Sequence, residues 1–300
     1  MIDRVNHVDW GALVYLEMFV AGIAAGAYAI AAILELFGRG RSPIARAAHL
    51  LTFPLMAIAG LLLIVDLSRP ERFWHMIVQS KTLFPMLKPW SPMSLGSWLV
   101  LLFPAFAFVS FVDALIDRGM FRLGGWRHGQ TLHGSGVGPV WAVLGGLTAL
   151  GVGIYSGVLL SVSQFPGWAD APLIPGLFVA TALATGMGAL LLFTALGRRT
   201  EPVDLQDLAR ASTMVIVWQM LLLLLFVLTM GRTGFEVFLT GSTLLAIIGA
   251  VLLGGIVPLI LLRFGAARLR PGTAALAAVM VLIGGFLVRY AVVMGPQLHG

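Results

Sequence analysis

Residues 47–65, Ala-Ala-His-Leu-Leu-Thr-Phe-Pro-Leu-Met-Ala-Ile-Ala-Gly-Leu-Leu-Leu-Ile-Val, contain no charged side chain and run straight into Asp66-Leu-Ser-Arg-Pro-Glu-Arg-Phe-Trp-His-Met76. An uncharged apolar run of this length is enough to cross ~30 Å of hydrocarbon as a helix. The abrupt return of charge marks where the chain meets water. Seven further stretches of at least 17 residues lack Asp, Glu, Lys and Arg: 18–34, 89–112, 128–169, 171–197, 211–231, 237–262 and 271–288. The third of these looks too long for one helix. It is bounded by a Gly-rich opening ending at Pro139 and by Gln164-Phe-Pro-Gly-Trp168, which leaves one helix over about 139–162. The predicted helices are 11–37, 44–67, 93–116, 139–162, 172–196, 209–230, 241–262 and 273–294.

Composition agrees with that count. The 300 residues are 59% hydrophobic and only 11% charged, with a mean hydropathy of +0.97. A soluble domain needs about a quarter of its residues charged to cover its surface. The expected fold is therefore an all-α integral membrane protein of eight transmembrane helices packed as bundles, a single domain over residues 1–300. The sequence has no Cys, so it supplies no thiolate for an iron–sulfur cluster, a thiolate metal site or a covalently attached haem. The net charge of +6 would suggest nucleic acid in a soluble protein. Here the cations fall in short connections between apolar spans, and no nucleic-acid partner is expected. Met1 to Trp10 lacks the basic region and short apolar core of a cleavable signal, so the first span is expected to stay.

Orientation follows from Lys and Arg. Arg39, Arg41 and Arg46; Arg118, Arg122 and Arg127; Arg198, Arg199 and Arg210; and Arg263, Arg268 and Arg270 fall in alternate connections. Such connections face the cytoplasm, which puts both termini on the outer side of an inner (cytoplasmic) membrane. The connection over 66–92 is an exception on the outer side. It carries Arg69, Arg72, Lys81 and Lys88 among Phe73, Trp74, Phe84 and Trp90, with Trp98 just beyond. Aromatics and cations together form either a membrane-surface loop or a clamp for a second protein.

Small residues crowd Gly22-Ile-Ala-Ala-Gly26 and the segment Gly145 to Gly153, where helices are expected to pack closely. Pro54, Pro104 and Pro258 mark expected kinks. Ionisable groups inside spans are costly and usually face a cavity, a partner or a pathway. Glu17 is expected roughly 9 Å below the outer end of the first helix. Tyr155 in the fourth helix and Arg289 in the last are expected at similar depth, and Asp66 closes the second helix on the same side. Four helices thus bring polar groups to one outer layer. For each group alone a plainer role exists: Arg289 snorkelling to the interface, Tyr155 anchoring there, Asp66 pairing with Arg69 or Arg72. Near the other side, Glu35 and Asp113 read either as ordinary helix-end charges or as the inner mouth of a proton route. His49 and His133 are the only two histidines placed to meet, as haem ligands or, more plainly, as solvated or interfacial residues.

The sequence resembles the NrfD/polysulfide reductase membrane-subunit family. The resemblance rests on Asp66-x-x-Arg69-Pro-x-Arg72-Phe-Trp-His75, on Ser91-Pro-Met-Ser-x-Gly96-Ser-Trp98 and on Gly22-Ile-Ala-Ala-Gly26. It extends to Gly153-Ile-Tyr-Ser-Gly-Val-Leu-Leu-Ser161 with Pro166-x-Trp168 and Pro175-x-Leu-Phe178, and to Gly284-Gly-Phe-Leu-Val-Arg-Tyr290. It implies a quinone-handling membrane anchor of a respiratory enzyme, docked on an outer-side ferredoxin-like subunit with four iron–sulfur clusters. That subunit would exchange electrons with a catalytic subunit, often molybdenum-dependent. The cofactor implied is menaquinone or ubiquinone. By position, Tyr155 would bond a quinone carbonyl. Glu17 departs from relatives that place His or Asn on that face. The expected catalytic residues are Glu17, Asp66 and Tyr155; the expected quinone-binding residues are Glu17, Tyr155, Arg289, His75 and Ser97; no metal ligands are expected. The 66–92 segment is the expected docking loop. Two other classes stay open on the residues alone, a secondary transporter and a haem-b anchor.

Overall fold

The computed structural model describes residues 10–120, 132–133, 135–163, 165, 167–197, 202–264 and 270–299. The segment that carries Arg122 and Arg127, the pair Arg198 and Arg199, and Arg268 lie outside the described residues. Ten α-helices appear among them: α1 Ala12–Leu36, α2 Pro43–Asp66, α3 Pro92–Asp117, α4 Gly138–Val162, α5 Ile174–Leu196, α6 Pro202–Thr229, α7 Arg232–Phe238, α8 Gly241–Val251, α9 Val257–Phe264 and α10 Pro271–His299. A π-helical turn, Leu252–Ile256, joins α8 to α9. Counting α8, the turn and α9 as one, eight segments are long and apolar enough to span a membrane. The protein is a multi-pass all-α integral membrane protein.

Local sequence explains where the spans begin. Ser42 caps α2 by accepting the Ala45 N–H at 3.2 Å, and Ser91 caps α3 through the Ser94 N–H at 3.4 Å; in each case a proline follows at the first helical position. Gly38, in the left-handed region at φ 71°, turns the chain from α1 to α2. Pro54 and Pro104 are carried inside continuous helices. The third expected kink has a defined form. Pro258 has no N–H and crowds the carbonyl four residues back, and the wider π-turn lies directly before it.

Two helices sit at the centre. The apolar stretches of α1 and α5 are 72% and 67% buried, against 28% for α2, α3 and α6. The peripheral helices turn Leu61, Val65, Leu101, Leu102, Leu221 and Leu224 outward, the surface a bilayer covers. The α1–α5 crossing is set by the absence of side chains: a Cβ on Gly26 would overlap the Ala182 carbonyl, and one on Gly186 would overlap the backbone of Gly26 and Ala27. A similar approach joins the π-turn to α10, where Gly254 faces Gly284. With no hydrophobic drive between helices in lipid, such close backbone packing supplies the association energy.

The first and last described stretches of the chain meet on one face. The Trp10 N–H donates to Gln297 Oε1 at 2.8 Å, and the Trp168 indole, fully buried, donates to the Val292 carbonyl at 2.7 Å. This terminal face carries the 66–92 connection. The opposite face carries, among the described residues, Arg39, Arg41, Arg46, Arg118, Arg210 and Arg263, with Arg41 and Arg46 both on Asp117 at 3.3 and 2.9 Å. Three boundaries differ from expectation. The sixth helix begins at Pro202, seven residues early, because its amphiphilic first turns continue the helix beyond the apolar run. The short α7 fills the 232–238 stretch, and the last helix continues to His299.

Substituting Gly186 by Val is expected to destroy assembly or to destabilise the fold by about 3 kcal/mol or more, because the clash is with backbone and cannot relax. Gly176→Ala, where an added Cβ meets nothing within 4 Å, is expected to leave the protein intact. Thermal unfolding in detergent, followed by size-exclusion profile, distinguishes the two.

Candidate functional site

A cavity of about 410 Å³ opens at the terminal face between α1, α2, α3 and α4. Its walls are mostly apolar, from Leu13, Val14, Leu63, Val100 and Leu159 among others; the polar side chains in them are Glu17, Asp66, Ser97, Tyr155 and Ser156, with the Trp10 indole. Size and lining match the usual small-molecule site, an apolar cleft with a few oriented polar groups.

Each polar group is placed by a different element. Glu17 lies in the second turn of α1, and Asp66 is the last residue of α2, exposed at the mouth. Tyr155 comes from α4, about two turns from its end. Gly96 on α3 makes room for it, since a Cβ there would overlap the Tyr155 ring itself. Ser97, next along, spends its hydroxyl on the Met93 carbonyl at 2.8 Å. Among the described residues, no protein hydrogen bond or ion pair engages the side chains of Glu17, Asp66 or Tyr155. Two potential acids and a phenol from three helices therefore face the same apolar space with their hydrogen-bonding capacity unspent. For Glu17 and Tyr155, set in the apolar walls, unspent hydrogen-bonding capacity costs stability; Asp66, exposed at the mouth, is free to bond water.

Phe73, Met76 and Ile77 line the cavity from above. The first two belong to a 3₁₀ helix, Pro70–Met76, which opens the 66–92 connection. A small antiparallel turn follows, with the Gln79 N–H on the Phe84 carbonyl at 3.0 Å and the Met86 N–H on the Ile77 carbonyl at 2.8 Å. The Trp98 indole fastens this turn to α3 through the Met86 carbonyl at 3.1 Å. The outer surface of the connection exposes Trp74, Leu83, Phe84, Leu87 and Trp90.

Two expected residues sit elsewhere. His75 does not line the cavity; its ring lies edge-on against Trp74, with centroids 4.0 Å apart. Arg289 is behind the wall rather than in it. The continuation of α10 to His299 puts it about ten residues, roughly 15 Å, from the helix end, too deep to snorkel, and only 1% of its surface is exposed. Its guanidinium donates to the Phe178 carbonyl at 3.0 Å and to the Ser156 hydroxyl at 3.4 Å, and lies 3.9 Å above the Phe178 ring. Gly22 leaves the space it occupies. Ser156, which accepts its hydrogen bond, is the residue that connects it to the cavity wall.

Residues 1–299 match the family model described as polysulphide reductase, NrfD. The protein belongs to this family. It is 29% identical over 271 residues to the C chain of polysulfide reductase from Wolinella succinogenes, a match spanning 86% of this sequence and 80% of that one. It is 28% identical over 228 residues to protein NrfD of Escherichia coli, spanning 73% and 70%. The NrfD family signature read from residues 66–98 thus coincides with the roof of the cavity and its α3 wall.

A second polar cluster lies near the arginine face. His133 Nδ1 is 3.5 Å from Glu35, and its ring stacks on that of His49 with centroids 4.0 Å apart and planes at 16°. Asp113 accepts the N–H groups of Leu132 and His133 at 2.7 and 3.2 Å. Both histidines are buried within the protein, where the plainer expectation is a solvated or interfacial position. Burial holds the His133 imidazole below its ordinary pKa against the opposing pull of Asp113 and Glu35. The stacked rings leave no gap between them for a macrocycle, so the pair is not arranged as axial ligands on opposite faces of a haem. Among the described residues, no group of three or more His, Asp or Glu side chains is placed to hold a metal ion.

Gly96→Ala is expected to push the Tyr155 ring out of its place while leaving the helix intact, since alanine favours a helix. A crystal or cryo-electron structure of this variant is expected to show the Tyr155 ring displaced and the cavity reshaped, with α3 and α4 unmoved.

Proposed function

We propose that this protein is the quinone-handling membrane subunit of a multi-subunit respiratory oxidoreductase, lying in the cytoplasmic membrane with the cavity and both termini on the outer side. The observation that carries the proposal is the set of unpartnered Glu17, Asp66 and Tyr155 side chains in one apolar cavity under an aromatic basic loop. A quinone supplies two-electron, two-proton chemistry on a flat apolar ring with two carbonyl oxygens. The cavity suits such a molecule in size and lining. The Tyr155 hydroxyl is a donor for one carbonyl, and the Glu17 carboxylate is a base for the proton of a quinol hydroxyl. Asp66, exposed at the mouth, hands protons to outer water. The buried Arg289 charge favours negative charge in the cavity without touching the ligand, through the Ser156 wall. Phe73, Met76 and Ile77 cover the cavity from above.

Electrons pass to or from a second protein, because this one has no Cys with which to hold a cluster. The Wolinella relative is by its name one of several chains, and this protein is proposed to assemble in the same manner. The partner is an iron–sulfur subunit seated on the 66–92 loop, followed by a catalytic subunit. The exposed Trp74, Phe84 and Trp90 with Arg69 and Arg72 are the residue types that dominate interface hot spots. A transporter reading is disfavoured by depth. Transporter sites lie near the midplane between broken helices, whereas Glu17 is in the second turn of an unbroken helix.

Tyr155→Phe and Glu17→Gln are each expected to reduce quinol-linked turnover by ~10²-fold or more, the usual size of general acid–base effects. Turnover with an artificial dye that reacts at the partner subunit, and assembly of the complex, should stay unchanged. Near-normal quinol turnover in both variants would place the site elsewhere. Orientation is checked separately: reporters fused after Gly40 are expected to read cytoplasmic and those after Gln79 external, and the reverse result would put the cavity on the inner side.

A further inference from the structure

On the arginine face, away from the cavity described above, a second pocket of about 300 Å³ opens between α6 and α9. It is lined by Gln206, Ala209, Arg210, Thr213, Met214, Leu262 and Arg263. The outward surfaces of the two helices lead into it. On α6, Met214, Val217, Trp218, Leu221 and Leu225 are exposed in a stripe, and Arg210 stands one turn beyond Met214 at its end. On α9 and the turn before it, Leu252, Ile256 and Ile260 are exposed at four-residue spacing, and Arg263 stands at the end of that stripe. Two ridges that face lipid tails thus each finish in a guanidinium, and the two guanidiniums line the same pocket. The polar lining is completed by Gln206 and by Thr213, whose hydroxyl is spent on the Ala209 carbonyl at 2.9 Å.

Asp207 is the carboxylate nearby, and it is shared between Arg39 and Arg210, each at 3.8 Å and each substantially exposed. Arg263 has no ion pair among the described residues. Among the described side chains, two guanidiniums thus line one pocket, and the Asp207 carboxylate pairs with only one of them. Arginine presents a planar fork that binds phosphate oxygens in pairs. Basic pockets between helices at the cytoplasmic surface favour anionic headgroups, with the tails continuing along the apolar ridges below.

We propose that this pocket is a binding site for one anionic phospholipid, with its phosphate between Arg210 and Arg263 and its acyl chains along the Met214 and Ile260 ridges. The site is independent of the quinone cavity, so its test does not share an outcome with that proposal. The full chain, purified in non-ionic detergent, is titrated with dioleoylphosphatidylglycerol and, separately, with dioleoylphosphatidylcholine, and bound lipid is counted by native mass spectrometry. One phosphatidylglycerol is expected to bind in preference to phosphatidylcholine. Arg210→Ala with Arg263→Ala is expected to weaken phosphatidylglycerol binding about 30-fold, taking the usual contribution of a basic residue at an anionic surface for each, and to leave phosphatidylcholine unchanged. Arg263→Gln alone, at an exposed position that does not threaten folding, is expected to weaken it about fivefold. Arg118→Ala, on the same face but outside the pocket, is expected to have no effect. Equal affinity for the two lipids, or equal loss in Arg118→Ala, would overturn the proposal in favour of a diffuse basic surface. Displacement of phosphatidylglycerol by millimolar inorganic phosphate would overturn it in favour of a free-anion site.

Discussion

Arg289 carries its charge at a depth where no water reaches it, so protein atoms must satisfy the guanidinium, and the way they do so fixes four helices. Its own helix, α10, delivers it; α5 supplies the Phe178 carbonyl and ring, α4 supplies the Ser156 hydroxyl, and α1 yields space at Gly22. Removing any one of these would leave a buried charge short of a partner, the costly case for a buried ion. Ser156 also lines the cavity, and Glu17 lies between one and two turns of α1 from the space that Gly22 provides. The position of the cavity wall is thereby tied to the central packing of the protein. The α1–α5 crossing at Gly26 and Gly186 lies one turn below and holds the same two helices at backbone contact.

Much of this arrangement can be read from sequence because it follows from one-dimensional patterns. Charge-free runs predict the eight spans, and the Ser–Pro starts at Ser42 and Ser91 are where the helices begin. The shared depth of Glu17, Asp66 and Tyr155 needs only helix rise and alternating direction. The Gly22 and Gly26 spacing predicts close packing, although it does not say that one glycine faces a guanidinium and the other a carbonyl. Those partners come from elements more than 150 residues away, and spacing along one helix carries no information about them.

The misplacements have specific causes. The apolar run of the last helix ends near residue 294, and that end alone puts Arg289 at the interface. The helix continues because Gln297 is tied to the Trp10 backbone, a contact between the two chain ends that no local pattern announces. His49 and His133 look like surface residues because both lie near the arginine face. They are buried because Asp113 draws the 132–133 backbone over them, and its partners are backbone N–H groups that any sequence possesses. A break near Pro258 is legible from the missing N–H; that it takes the form of a π-turn with Gly254 against Gly284 is not.

The 66–92 connection resolves an apparent conflict in the charge pattern. Four cations on the terminal face run against the distribution that orients the rest of the chain. The segment has two surfaces: Met76 and Ile77 line the cavity, Trp74, Phe84 and Trp90 are exposed, and Phe73 belongs to both. A substitution at Phe73 therefore alters both surfaces at once. A test of docking by itself belongs at Phe84 and Trp90, which are exposed at the turn and do not line the cavity.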